Sequence, residues 1–366
     1  MNPTAKPTAK LNNLGQSIWL DNITRKLLSS GVLRQYIEEL SVTGLTSNPT
    51  IFDNAIKNSA DYDTAIRKRL EKGETAEELF FGIALEDIVQ AADLFRETHE
   101  RTCGVDGFVS LEVSPLLAHD TQTTLEMAKE LFARADRPNV FIKIPGTPEG
   151  LPAIEEAIFS GIPVNVTLLF SREQYLAAEG AYRRGVERRV EKGINPYVAS
   201  VASVFVSRWD AAVVGKVPPA LLNKLGVATS GRTYRAYRDL LNSPAWQRLM
   251  NMGARPQRLL WASTGTKDPS ASDILYIRAL ATPFTVNTMP EPTLKAFFDH
   301  GELGAVMAPD GGECEAVLAQ FKTAGVDVDA LASRLQDEGA ASFVKSWNNL
   351  MEVIASKAEK LRATTA

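Results

Sequence analysis

The sequence predicts an α/β protein, a single (β/α)8 TIM barrel with extra C-terminal helices. Three observations lead there. Eight short apolar or β-branched runs recur along the 366 residues, most of them separated by segments with helical spacing, which is the pattern of repeated βα units. Several runs are nearly continuous in Val, Ile, Leu and Phe, as parallel strands covered on both faces require. The competing fold, an open doubly wound sheet, lacks its glycine fingerprint, because the first run is followed by Asp21-Asn22-Ile23-Thr24-Arg25.

Taken in order, the strand runs are Ser17 to Asn22, Val42 to Asn48, Gly107 to Val113, Val140 to Pro145, Pro163 to Phe170, Ala199 to Ser207, Arg258 to Ser263 and Phe284 to Thr288. Helix signals fall between them. Thr75 with Glu78 forms a capping box ahead of Leu79, Ile83 and Ile88, and Ser171 with Gln174 opens a helix directly after the fifth run. The basic stretch Arg183 to Lys192 carries Glu187 and Glu191 at helical spacing, so it reads as a solvated helix face. Phe343, Trp347, Leu350 and Ile354 mark an amphipathic terminal helix. Polar residues with Pro3 and Pro7 make residues 1–16 an expected flexible arm, ahead of a barrel over 17–300 and helices packed on it over 301–366.

Composition narrows the function. Forty Lys+Arg against 44 Asp+Glu give a formal charge of −4, so no global field points to nucleic acid or an anionic membrane, and any anion site must be local. Met1 to Leu11 lacks the apolar core of a signal peptide, and no run of about 18 apolar residues follows, so no membrane span is expected. Two cysteines are too few for a disulfide framework, which favours a reducing, cytoplasmic setting. Three scattered histidines argue against a metal site.

Barrel chemistry sits at the C-terminal ends of the strands. In the fourth run Phe141, Lys143 and Pro145 share one face, because strand side chains alternate. Lys143 therefore lies inside an apolar strand, where an unpaired ammonium is costly. Other runs place polar groups late: Asp21, Thr46 with Asn48, Ser110 with Glu112, and Asn165 with Thr167; Ser203 and Phe205 repeat the two-residue spacing in the sixth, with Arg208 just beyond. Any one could be a satisfied core group or a helix cap. Together they supply a lysine nucleophile, two carboxylates, amide and hydroxyl groups, and an anion-binding cation. A protonated Schiff base on such a lysine is an electron sink that lets a neighbouring C–C bond break, while two carboxylates in different surroundings divide the proton transfers.

Two segments, Gly44-Leu45-Thr46-Ser47-Asn48-Pro49-Thr50-Ile51-Phe52 and Phe141-Ile142-Lys143-Ile144-Pro145-Gly146-Thr147, resemble the signature motifs of transaldolases. Trp19-Leu20-Asp21, Ser110-Leu111-Glu112-Val113, Asn165 to Phe170 and Ser203 to Arg208 extend the likeness from about residue 17 to 290, in the family's order. The resemblance implies a class I aldolase barrel of the pentose phosphate pathway. It implies that Lys143 forms a Schiff base with C2 of fructose 6-phosphate or sedoheptulose 7-phosphate. It casts Asp21 as the base for the C4 hydroxyl, and Glu112 as a proton shuttle through a water held by Thr167. Asn48 and Asn165 are expected to hold the dihydroxyacetone unit, with Thr46 and Phe205 also in the substrate site, and Ser203 and Arg208 to hold the phosphate. Compact members carry Ser-Phe-Arg after the seventh strand; here Trp261-Ala262-Ser263-Thr264-Gly265-Thr266-Lys267 follows, as in a longer bacterial subgroup, so Lys267 takes that place as a point charge without a fork.

The nearest alternative is a fructose 6-phosphate aldolase that releases free dihydroxyacetone; aldolases of that kind lack the glutamate and the phenylalanine found here as Glu112 and Phe205. A non-catalytic sugar-phosphate-binding barrel is the other alternative, although Lys143, Glu112 and Asp21 are all present. Similar sequences also occur fused to a phosphoglucose isomerase, for which this chain is too short. The expected partners are small-molecule sugar phosphates, with the protein a monomer or homodimer, and no metal or organic cofactor is called for.

Overall fold

The computed structural model describes residues 5–363. Eight parallel strands close into one barrel in sequence order: β1 (Gln16–Asp21), β2 (Val42–Thr46), β3 (Val109–Glu112), β4 (Val140–Pro145), β5 (Val164–Leu169), β6 (Ser200–Phe205), β7 (Arg258–Ala262) and β8 (Thr285–Met289), with β8 pairing back on β1. Each falls on one of the expected runs. Alternation divides their side chains as anticipated. Ile142, Ile144, Val164 and Val166 point outward into the layer shared with the helices, whereas Trp19, Phe108, Phe141, Val201, Leu260 and Val286 fill the interior. Phe108 and Phe141 stack with ring centres 4.1 Å apart. Trp19 fits beside them because residue 44 is glycine; a Cβ there would lie 2.5 Å from the indole Nε1.

The anticipated helix signals form. The Thr75–Glu78 and Ser171–Gln174 capping boxes are both complete and open the helices Ala76–Leu94 and Arg172–Glu191. On the second helix Arg183 pairs with Glu187 at 2.8 Å.

The amino terminus departs from expectation. Residues 1–16 were expected to be a flexible arm, but Pro7–Asn13 form a helix with Thr8 and Leu11 fully buried, and β1 already begins at Gln16. Proline is favoured in the first helical turn, where its missing N–H is no loss, and Leu11 gains a hydrophobic site. Residues 1–4 of that arm lie outside the described residues.

After the barrel, residues 301–313 contain no helix, and the chain then forms Cys314–Thr323 and a 36-residue helix, Val328–Ala363. Phe343, Trp347, Leu350 and Ile354 of the long helix are buried, as their spacing requires. Among the described residues, no helix is long and apolar enough to cross a membrane.

Candidate active site

Strand register builds the site. Glu112 on β3 pairs with Lys143 on β4, which pairs with Asn165 on β5, and Pro145 pairs with Thr167 one step higher. On the other side of the barrel Asp21 pairs with Thr46. Because these positions share the inward face, Asp21, Thr46, Asn48, Lys143, Thr167, Ser203, Phe205, Arg208 and Lys267 line one cavity of about 230 Å3 at the C-terminal mouth. Glu112 and Asn165 do not line it; they lie against its lining residues Lys143 and Ser203. All eleven residues singled out in the sequence are therefore brought together.

Lys143 is 5% exposed. Its ammonium donates to Glu112 Oε2 at 3.0 Å and to the Ser47 carbonyl at 3.2 Å, and it sits 5.5 Å from the centre of the Phe343 ring. A buried pair of this kind contributes little net stability, since desolvation offsets attraction, but removing one partner typically costs about 3–5 kcal/mol. Burial raises the Glu112 carboxyl above its ordinary value, against the pull of the Lys143 ammonium and hydrogen bond and with a further push from the negative charge of Asp21. Its other oxygen, Oε1, and Thr167 Oγ1 are both buried without a hydrogen-bond partner among the described residues. Glu112 can thus hold a proton beside the amine and has one oxygen free to pass it on.

Asp21 is also raised, first by burial, with Lys143, the Thr46 hydroxyl and Lys267 acting in the opposite direction. Thr46 donates to Asp21 Oδ1 at 2.8 Å, and its oxygen lies 2.6 Å from that of Thr288. The two carboxyl groups therefore differ in partner. One is tied to the amine and the other to a hydroxyl pair across the barrel, which is how two carboxylates come to take separate proton roles.

The hydrogen-bonding groups are ordered by one another. Ser203 donates to Asn165 Oδ1 at 2.7 Å, and Asn165 Nδ2 donates to Ser110 Oγ at 3.0 Å. Asn48 caps the helix Pro49–Lys57 by accepting from the Ile51 amide at 3.0 Å, which leaves its side-chain NH2 group for a ligand. The capping role and the site role are compatible because the helix starts at the cavity wall.

At the rim, Arg208 on the helix Ser207–Val213 lies over Phe205 at 5.1 Å and near Phe343 at 5.9 Å, and it makes no ion pair among the described residues. Burial pulls its guanidinium below the ordinary value, with Glu338 opposing. A desolvated guanidinium without a carboxylate partner is suited to a phosphate group. Lys267, in the loop after β7, is exposed and supplies a second cation to the same cavity.

Thr288, Ser263 and Phe343 are among the lining residues that the sequence did not single out. Thr288 and Ser263 end the eighth and seventh runs, so the strand-end rule that selected Thr46 and Thr167 also selects them. Phe343 gives no such signal, since helical spacing shows that it is buried but not against what. Trp347, one turn further along the same helix, packs against Phe80 and Phe81, with ring centres 5.1 and 5.5 Å away.

Amine, carboxyls and free cation at a barrel mouth define a class: an enzyme that attacks an anionic carbonyl compound through a lysine. Comparison with known proteins gives the family. The model described as Transaldolase/Fructose-6-phosphate aldolase matches residues 18–354. A transaldolase of Thiobacillus denitrificans is 44% identical over 356 residues, covering 95% of this chain and 99% of its own. Transaldolases of a Parafrankia species and of Acidothermus cellulolyticus are each 43% identical, covering 96% and 97% of this chain and 97% and 98% of theirs. The chain belongs to the transaldolase/fructose-6-phosphate aldolase family.

Proposed function

We propose that this protein moves a dihydroxyacetone unit from a ketose phosphate to an aldose phosphate through Lys143. The transaldolase activity follows from the relatives it matches over nearly its whole length. The observation that carries the residue roles is the Lys143–Glu112 contact of 3.0 Å at the base of a cavity rimmed by Arg208.

Lys143 gives its ammonium proton to Glu112, 3.0 Å away, and the free amine adds to the C2 carbonyl of fructose 6-phosphate or sedoheptulose 7-phosphate. Glu112 passes a proton to the developing oxygen, through a water held by Thr167 Oγ1 and Glu112 Oε1, and the C2 oxygen leaves as water to give the iminium. Asp21 then takes the C4 hydroxyl proton as the C3–C4 bond breaks. The bonding pair moves onto C3 and is held as an enamine, and the aldose phosphate departs. Asn48 holds the three-carbon unit from the cavity wall, Asn165 acts from behind it through Ser203, and Thr46 fixes Asp21. C3 attacks the incoming aldehyde of glyceraldehyde 3-phosphate or erythrose 4-phosphate while Asp21 returns the proton, and water then releases the product from Lys143. Arg208, Lys267 and Ser203 hold the phosphate, with Phe205 supporting the guanidinium from below. A cytoplasmic setting and a monomeric or homodimeric state complete the reading.

Acceptor dependence tests the transfer step. With fructose 6-phosphate alone, glyceraldehyde 3-phosphate is expected only to the extent of about one equivalent per site, and turnover is expected to begin when erythrose 4-phosphate is added. Sustained release of free dihydroxyacetone without acceptor would assign the chain to the aldolase branch of the family instead.

A further inference from the structure

A larger cavity, about 510 Å3, opens at the opposite, N-terminal end of the barrel and shares no lining residue with the one above Lys143. Its volume falls within the ordinary range of small-molecule pockets. Phe108 and Phe141 form its floor, and Tyr237, Leu241, Met250 and Phe284 contribute to its walls. Three cations, Arg238, Arg255 and Arg258, line it, with no Asp or Glu among the described lining residues.

The arginines are not equivalent. Arg258 is committed to structure, donating to Ser17 Oγ at 2.7 Å and to the carbonyls of Thr285 and Val105 at 2.9 and 3.1 Å. The nearby buried Asp106 is likewise committed, accepting from Trp19 Nε1 at 2.7 Å and from Ser17. Arg255 stacks 4.3 Å from the centre of Tyr197 and, among the described residues, donates only to neutral oxygens, those of the Cys103 carbonyl and the Tyr197 hydroxyl. Arg238 stacks on Phe284 at 5.3 Å, and its Nε is buried without a hydrogen-bond partner among the described residues. An unpartnered guanidinium N–H beside an aromatic-walled space is an anion donor in waiting.

Phe284 adds an independent sign. It is 58% exposed and has φ +63, a conformation that is strained for a bulky residue. Its backbone is fixed there by bonds from its own N–H to the Gly15 carbonyl and from the Tyr237 hydroxyl to its carbonyl, both 2.9 Å. The strain keeps an aromatic ring at the rim of the cavity, against Arg238, where burial gives it no compensation.

We propose that this lower cavity binds a small aromatic carboxylate, its ring against Phe108, Phe141 and Tyr237 and its carboxylate on Arg238 and Arg255. The site is independent of the chemistry assigned to the upper cavity.

The test is a calorimetric titration of the whole protein with 2-naphthoate in the presence of excess fructose 6-phosphate, which occupies the upper site. Saturable binding of one 2-naphthoate per chain is expected, with 2-naphthamide, the same ring without charge, binding roughly tenfold or more weakly. Arg238→Met and Arg255→Met are each expected to weaken 2-naphthoate by a similar factor, and Leu241→Trp, which fills the space, to abolish its binding. Unchanged dihydroxyacetone transfer in the three variants shows that they fold. Equal affinity for the amide, displacement by fructose 6-phosphate, full binding by Leu241→Trp, or no saturable binding overturns the proposal.

Discussion

At the scale of single residues, the site works by giving similar groups different neighbours. Glu112 and Asp21 are both carboxyls raised by burial and both feel the Lys143 charge, but of the two only Glu112 takes a hydrogen bond from the ammonium, whereas Asp21 takes its own from the Thr46 hydroxyl. In the proposed reaction Asp21 must be ionised to take a proton from substrate. Because its affinity for protons is raised, activity is expected to fall on acidification at a pH above the ordinary aspartate value of about 3.9. The Thr46 hydroxyl stabilises the ionised form, so Thr46→Val removes a lowering influence and should move this acid limb of the kcat profile upward. An unmoved or downward-shifted limb in Thr46→Val would contradict the role given to that hydrogen bond. Most of these residues were legible in the sequence because a polar side chain late in an apolar strand is costly to bury unless a partner or a ligand meets it. Their partners were not legible: nothing in the order of residues shows that Ser203 donates to Asn165.

At the scale of elements, the long C-terminal helix is part of the site rather than a cover for it. Gln336, 8% exposed, donates from Nε2 to the Gly146 carbonyl at 3.1 Å and to the Leu168 carbonyl at 2.9 Å. These carbonyls follow Pro145 at the end of β4 and Thr167 near the end of β5, where Gly146 N–H also donates to the Thr167 carbonyl at 2.7 Å. Leu168 has φ +60, and the register with β6 shifts between Val166 and Leu169. The amide of Gln336 thus clamps a strained strand end to the strand that carries Lys143. Three residues on, Gly339 lets the helix approach, since a Cβ there would lie 2.9 Å from Leu168 and 3.3 Å from Arg208.

Gln336→Leu keeps the volume but removes both donors. It should lower kcat about tenfold, since an ångström of misplacement matters at a reacting centre, and reduce unfolding free energy by about 1–3 kcal/mol in urea titration. A full kcat in that variant would show that the clamp does not position the strands. The sequence marks this helix through its apolar spacing, but Gln336 and Phe343 act through contacts with residues far away along the chain, which periodicity does not encode. The amino-terminal helix was hidden for another reason: seven residues with a proline are too few to show a period, and its stability comes from seating Leu11.

At the scale of the whole molecule, a barrel with two ends separates the known chemistry from the lower cavity. Phe141 faces the lower space and Lys143, two residues later on the same face of β4, faces the upper one. The fold itself was readable because eight strand runs and their connecting helices agree in period, order and capping. The net charge of −4 is compatible with anionic substrates because Arg208 and Lys267 place positive charge locally at the cavity. In the proposed reaction Lys143 alone carries the three-carbon unit, and reductive trapping tests this most directly. With fructose 6-phosphate and borohydride, mass spectrometry should find one three-carbon adduct per chain, on the peptide containing Lys143, with activity lost in proportion. An unmodified Lys143 in the inactivated protein, or full transfer by Lys143→Ala, would contradict it.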